Sequence, residues 1–476
     1  MKNESIQGKE VRDRWRQTNS DPRGRTQTST GKNRKEEPRD LGVRHALRAH
    51  RVHRTPQQWS VEPCVPESAV VGAVSRMKDT AENFKNVECR LREAASDRAY
   101  ISGWTHNFYR YPARFSPTFA AAAINALSRP DDIVLDPYMG GGTAIVEALA
   151  AGRRAIGNDL NSLATFVTRV KTTPLGPREA NAIRRWAKEI VPLLSYRSPQ
   201  NELVAHMAPE KMKNLSLLRA RFIKKIIASA LSTITTLPTT NSQAFARCVV
   251  LRTSQWALDG RRTQTSLQDF RNHLCESCLE MLEQLGAFES KIRLYSDRSS
   301  SACVLVHGDA AELDKLSIFS KEEKKASLVV TSPPYPGVHV LYHRWQVDGR
   351  RESPAPYWII NGKDGQTASY YAFGHRRQST TIPYFITSLR TLRSIRRVVK
   401  RGAFMVQLVA FNDPEFQLTR YLSNMTAAGF EEVALSGPGQ MGEKRIWREV
   451  PNRKWHAASQ GNTHSSREVV LVHRAV

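Results

Sequence analysis

From Trp104 onward the chain reads as an α/β domain with a largely parallel sheet. Short apolar runs alternate there with segments of helical spacing. One such run ends on Asp136 and is followed by three consecutive glycines, Gly140 to Gly142, that open a helix. Another run, Leu328 to Thr331, stops at Ser332-Pro333-Pro334-Tyr335, where two residues without an N–H forbid further pairing.

In chain order, "DIVLDPY" (132–138) predicts the first strand and "GTAIVEALAAG" (142–152) a helix closed by glycine. "RAIGNDL" (154–160) predicts the second strand, completing one βαβ unit. "ACVLVHGDA", "ASLVVTS", the basic helix "YFITSLRTLRSIRRVVK" and "GAFMVQLVAF" continue the alternation. "FEEVALSG" and "REVVLVHR" read as two strands that pair antiparallel at an edge.

Two stretches interrupt this rhythm. Residues 178–298 carry helical periodicity without a convincing strand and predict a helical insertion. Residues 336–383, rich in Arg, Tyr, Trp, Gly and Pro, form a connection far longer than the usual ~2–6 residues, and loops of that length commonly carry function. The reading therefore divides the chain into a disordered basic arm (1–60), a helical lead-in (61–103), a domain made of 104–177 and 299–476, the insertion (178–298) and the long loop (336–383). The arm has almost no large apolar residue before Leu41, too little burial to offset ordering entropy.

Charge narrows the partners. The 476 residues hold 71 Lys+Arg against 45 Asp+Glu, a formal net charge of +26, which favours a polyanion, nucleic acid first. Six scattered cysteines lack the density of a secreted disulfide framework and fit a reducing cytoplasm, in association with the nucleoid. The lone CxxC at Cys275 and Cys278 lies on a helical apolar pattern and reads as core packing, so no metal is expected. No apolar stretch approaches the ~20 residues a bilayer span needs, and the N-terminus shows no apolar secretory segment.

The chemistry-bearing residues sit at strand ends. The glycines let a ligand approach bare backbone beside a helix start, whose N–H groups favour a carboxylate or phosphate. The glycine loop lacks the lysine of GxxxxGK[ST] and its spacing is not GxGxxG, which disfavours ATP hydrolysis and dinucleotide binding there. Asp159 ends the second strand, where a carboxylate can accept from ribose hydroxyls, and Asp309 ends the third. Each alone is equally a turn or cap aspartate; with Asp136 they line the sheet edge at which open α/β folds bind ligands. Ser332 to Tyr335 offers free carbonyls, a small hydroxyl and an aromatic plate, a corner suited to a flat ring bearing an amine.

"DPYMGGGT" together with "TSPPY" resembles the S-adenosylmethionine-dependent amino-methyltransferases of DNA, and "YRYPARFSP" (109–117) is similar to the segment that precedes their cofactor loop. The resemblance covers about 104–175 and 301–475, interrupted at 336–383. It implies a Rossmann-like class I methyltransferase fold with a mixed, mainly parallel seven-stranded sheet, S-adenosylmethionine as cofactor, and methyl transfer to the exocyclic amine of a flipped base. The serine form of the tetrapeptide is associated with cytosine N4 and the aspartate form more often with adenine N6. By the same resemblance, Tyr111, Pro112, Arg114, Phe115, Asp136, Pro137, Tyr138, Gly140, Gly141, Gly142, Thr143, Asp159 and Asp309 form the cofactor site. Ser332, Pro333, Pro334 and Tyr335 form the catalytic corner.

The expected partner is double-stranded DNA, with a cognate restriction endonuclease as a further partner and no membrane. The insertion falls between the second strand and Asp309, away from the place of a standard target-recognition domain. Target contacts are therefore sought in "RARFIKK" and "LDGRRTQ" of the insertion, and in basic and aromatic clusters elsewhere. Those clusters contain His343, Arg344, Trp345, Arg350, Arg351, Arg376, Arg377, Arg453 and Lys454, with Trp345 and Trp358 open to the alternative of packing the loop. An RNA base methyltransferase, and an inactive nucleic-acid-binding subunit of a defence system, are the alternative functions.

Overall fold

The computed structural model describes residues 75–99, 101–111, 115–197, 209–261, 263–295, 302–336, 344–349, 351–362, 373, 382–433, 445–449 and 467–476. All lie in one unit, Val71–Val476. The basic arm (1–60) is outside the described residues.

Helix α1 (Ser75–Ser96) leads to α2 (Pro117–Leu127), which Ser116 starts by accepting from the Phe119 amide at 3.3 Å, with Pro117 at the first helical position. Strand β1 (Ile133–Asp136), helix α3 (Thr143–Ala150) and strand β2 (Arg154–Asp159) form the βαβ unit read from the sequence. Asn161 caps α4 (Ser162–Thr172) by accepting from the Leu163 amide at 2.9 Å. The insertion follows as α5 (Pro177–Arg185), α6 (Arg221–Ile234), α7 (Thr240–Leu258) and α8 (Leu267–Arg293), and among its described residues there is no strand. Cys278 on α8 packs in the core with Phe270, Leu274 and Met281.

Strands β3 (Cys303–His307) and β4 (Ala326–Thr331) return to the sheet. The long connection after Tyr335 is not wholly irregular: it holds the antiparallel hairpin β5 (Trp345–Val347) and β6 (Arg351–Ser353) and the short helix α9 (Ala355–Ile360). Helix α10 (Ile382–Val398), strand β7 (Val399–Val409), helix α11 (Pro414–Ala427), and strands β8 (Phe430–Glu432), β9 (Ile446–Glu449) and β10 (Arg467–Ala475) complete the chain.

The sheet runs β3-β2-β1-β4-β7-β10-β8, with β9 also on β10. Pairs from β3 to β7 are parallel, and β10 is antiparallel to β7, β8 and β9. This is the Rossmann-like methyltransferase fold, with one correction: the sheet has eight strands rather than seven. The extra one, β9, is a four-residue segment too short to show a period in sequence, recruited because it pairs with Arg467 to Val470. Strands β8 and β10 pair as expected, but β10 is an inner strand rather than an edge.

Helices cover both faces, which is why the strands read as unbroken apolar runs. Val134, Leu328, Val330, Val406 and Val470 face one core, shared with α2 to α4 and the insertion. Ile133, Leu135, Val329, Met405 and Val469 face the other, shared with α10 and α11. Strand order reverses at β1, which has β2 on one side and β4 on the other; open α/β sheets bind ligands at such a switch point, here the carboxyl ends of β1 and β4. Asp136 and Ser332 are the residues found there.

Candidate active site

Asp136 is 4% exposed; it accepts the Thr331 hydroxyl at 2.6 Å and the Tyr138 amide at 3.1 Å. Burial pushes its carboxyl up to about 7 against these two donors, and the nearby Asp159 adds to the rise. Asp159 accepts the Gly140 amide at 2.8 Å on one oxygen and the Asn161 amide at 2.8 Å on the other; burial raises it to about 6. Two carboxylates thus lie at neighbouring strand ends with capacity left to accept from a ligand.

The glycine turn is held from below. The Met139 amide donates to the Asn158 carbonyl at 3.0 Å, and the Asn158 side chain donates to the Pro137 carbonyl at 3.2 Å. Lys171, 1% exposed on α4, donates its ammonium to the Gly141 carbonyl at 2.7 Å. Gly140 and Gly142 have φ of +47° and +76°, and Gly142 opens α3, of which Thr143 is the first, buried residue. A β-carbon on Gly141 would meet the Tyr111 β-carbon at 3.0 Å, so the buried Tyr111 side chain lies against the turn.

Asn161 joins three segments at this point. Its amide donates to the Tyr111 hydroxyl at 3.1 Å, and its carbonyl oxygen accepts the Tyr357 hydroxyl of α9 at 2.8 Å. Tyr138 lies edge-on to Phe373 at 5.7 Å, and Phe115 edge-on to Phe119 at 5.9 Å in the core. Pro112 and Arg114 lie outside the described residues. Asp309 caps the short turn Ala310–Lys315 through the Ala311 amide at 2.9 Å and pairs with Arg390 at 2.9 Å. Asp309 is thus a cap aspartate whatever else it contacts.

At the end of β4, Ser332 Oγ lies 2.7 Å from the Tyr335 hydroxyl, which donates to Glu468 Oε1 on β10 at 2.8 Å. Tyr335 is 5% exposed. The Pro334 carbonyl accepts the Tyr384 hydroxyl at 2.8 Å, whereas none of the described residues donates to the Pro333 carbonyl. Among the described residues, the Pro333 carbonyl and the remaining lone pairs of Ser332 Oγ are left to accept.

The loop that follows is docked on the insertion. The Gly260 amide donates to the Gln346 carbonyl at 2.8 Å, the Gln346 amide to Asp259 at 3.0 Å, and Asn214 to the Glu352 carbonyl at 2.8 Å. Arg247 and Lys211 donate to the Ile359 and Gly362 carbonyls, each at 2.6 Å.

Among the basic and aromatic candidates, Trp345 is corrected: it is 1% exposed, its indole N–H donates to the Tyr109 hydroxyl at 2.9 Å, and it packs the core, as does Trp358. Arg344 pairs with Glu352 at 3.8 Å, and the exposed Arg351 with Asp348 at 3.3 Å. His343, Arg350, Arg376, Arg377, Arg453 and Lys454 lie outside the described residues.

The site also includes residues not singled out from sequence. Asn161 carried a visible signal, an Asn-Ser helix start directly after a strand. Lys171, Tyr357, Tyr384 and Glu468 carried none. On the insertion, Arg178, Arg184, Arg185 and Lys188 surround a groove of about 850 Å³. Its signal was the basic spacing of "REANAIRRWAK".

Residues 3–165 match the family model described as DNA methylase, a span that includes the glycine turn and Asp159. Over 114 residues the chain is 32% identical to the Type II methyltransferase M.MvaI of Kocuria varians, a match covering 23% of this chain and 24% of that one. Both likenesses are to DNA methyltransferases, over about a third of the chain or less.

Among solved structures, TrmN from Thermus thermophilus matches with 11% identity over 76% of this chain and 49% of that one, at a TM-score of 0.29. A SAM-dependent methyltransferase from Methanosarcina mazei matches with 10% identity over 74% of this chain and 96% of that one, at 0.28.

The cofactor of the amino-methyltransferases is S-adenosylmethionine, and the residues present fit it. The turn carries no side chain at Gly140 and Gly141, Asp159 sets a carboxylate against the Gly140 amide at the end of β2, and Asp136 offers a buried carboxylate that a cationic ligand would return to its ionised form. Among the described residues no helix is long and apolar enough to cross a membrane.

Proposed function

We propose that the chain moves a methyl group from S-adenosylmethionine to the exocyclic amine of a DNA base extruded from the duplex, cytosine N4 in preference to adenine N6. One observation carries this: Thr331, the residue before Ser332, is bonded to Asp136, so the serine-led corner and the glycine turn flank one crevice. The resemblance of the Ser-Pro-Pro-Tyr form to cytosine N4 enzymes favours that base. Bound cofactor supplies a methyl already activated by the sulfonium charge.

Asp136 and the turn from Gly140 to Gly142 hold the methionine end, Asp159 the ribose, and Asp309 lies beside the adenine. Ser332 and the Pro333 carbonyl accept from the target amine, localising a lone pair otherwise conjugated with the ring. Tyr335 lies against the base, and in-line placement supplies much of the rate. The formal charge of +26 and the groove around Arg178 and Arg185 suit a phosphate backbone. Likeness to the Type II methyltransferase of Kocuria varians favours a role in protecting DNA from a cognate restriction endonuclease.

The test incubates the protein with labelled donor and, separately, duplex DNA, tRNA and ribosomal RNA, then identifies the modified nucleoside by mass. N4-methylcytosine from DNA is the expected product. N6-methyladenine would overturn the choice of base, and label confined to RNA the choice of nucleic acid. DNA binding without cofactor binding would make the chain an inactive recognition subunit.

A further inference from the structure

Strand β10 carries an acid, Glu468, directly before its apolar run Val469 to Val472. Glu468, 6% exposed, sits opposite Arg448 of β9, with Oε2 3.8 Å from the equally buried guanidinium. Its other oxygen, Oε1, accepts the Tyr335 hydroxyl at 2.8 Å. A carboxylate facing a guanidinium accepts and does not donate. A phenol has one proton, and here Glu468 takes it. The contact of 2.7 Å between Ser332 Oγ and Tyr335 Oη must therefore be made with the serine's proton. A serine hydroxyl can otherwise be donor or acceptor.

Resting on the methyl-transfer reading above, we propose that Glu468 is the positioning residue and final proton acceptor of that reaction, acting through Tyr335 and Ser332. With the chain polarised this way, Ser332 turns only lone pairs toward the target amine. It then does what a carboxylate does in the aspartate form of the tetrapeptide. Attack forms the N–CH3 bond as the S–CH3 bond breaks, leaving a neutral thioether and one proton too many on the amine nitrogen. That proton passes to Ser332 Oγ, the serine proton to Tyr335 Oη, and the tyrosine proton to Glu468 Oε1. The step ends with a neutral methylamine and a protonated Glu468, so charge and atoms balance.

The experiment compares wild type, Glu468→Gln, Tyr335→Phe and the double variant in methyl transfer to duplex DNA. Each single change should lower kcat about a hundredfold, in the range of a lost proton acceptor, with KM for S-adenosylmethionine within about twofold. The double variant should lose no more than either single one. In protein labelled with [13Cζ]tyrosine, the Tyr335 signal, assigned by its loss in Tyr335→Phe, should move in Glu468→Gln.

Wild-type kcat in Glu468→Gln, losses that multiply, or an unmoved Tyr335 signal would overturn the proposal while an active wild type upholds methyl transfer. A wild type that methylates no nucleic acid overturns the methyl-transfer reading and the relay with it. If Glu468→Gln fails to fold with Arg448 left unpaired, Tyr335→Phe decides alone, since it keeps the ring and the ion pair; wild-type kcat in that variant rejects the relay.

Discussion

Thr331 donates its hydroxyl to Asp136 across 2.6 Å, joining the last residue of β4 to the last residue of β1 at the crevice. Thr331→Val keeps the volume and strand preference but leaves a buried carboxylate one donor short, at a cost of ~1–3 kcal/mol. Affinity for S-adenosylmethionine should fall roughly tenfold by calorimetry, and Thr331→Ser should restore it. Unchanged affinity in the valine variant would separate Asp136 from cofactor binding.

Proton linkage follows from the same carboxylate. Asp136 titrates at about 7 in the fold against 3.8 in a free chain, because burial disfavours its charge. Between those values the folded state holds a proton that the unfolded state has released. Stability of the cofactor-free protein should therefore be fullest below about pH 4 for this group, fall as pH rises toward 7, and then level. Denaturant melts of wild type and Asp136→Asn at pH 5, 6, 7 and 8 isolate the effect: the variant should lack this part of the slope. Cofactor affinity should run oppositely, weakening in wild type as pH drops below about 7, because a cationic ligand prefers the ionised carboxylate.

Two alanine substitutions at the glycine turn should separate stability from binding. At Gly142 a β-carbon would lie 2.4 Å from Thr168 Oγ1 on a backbone of φ +76°, so Gly142→Ala should lower Tm by roughly 5 °C or more. At Gly141 the neighbour is the Tyr111 side chain at 3.0 Å, a contact relieved by a small shift. Gly141→Ala should leave Tm nearly unchanged while reducing cofactor affinity, and equal Tm losses would contradict this division.

Arg247→Met tests whether the insertion supports the loop after the tetrapeptide. Arg247 lies on α7 and donates to the Ile359 carbonyl of α9 at 2.6 Å; methionine keeps the apolar stem and loses the bond. Turnover on DNA should fall several-fold with S-adenosylmethionine affinity unchanged, read from single-turnover kinetics and calorimetry. Unaltered turnover would show that α9 needs no such support.

Much of the central sheet was legible because its strands are covered on both faces, so β1 and β4 are apolar nearly throughout and β7 and β10 hold apolar runs in their middles. The chemistry was legible where it is local: Asp136 and three glycines lie within seven residues, and Ser332 to Tyr335 are contiguous. Partners far along the chain left no trace. Glu468 reaches Tyr335 across 133 positions, and a single acid at the head of an apolar strand looks like any solvated strand end. Trp345 misled for the opposite reason, since an aromatic beside arginines has one composition whether it stacks on a base or, as here, seals the interior. The hairpin β5–β6 was missed because strands of three residues show no period.

The bonds from Lys211, Asn214, Arg247 and Gly260 to the segment from Gln346 to Gly362 bear on how that segment could be exchanged between related chains. A chimera that imported only the segment after Tyr335 would strand four main-chain carbonyls without donors. One that imported only the helices would bring donors with nothing to hold. Grafting has to move both pieces as a matched set, although more than eighty residues and two strands of the sheet separate them in the chain.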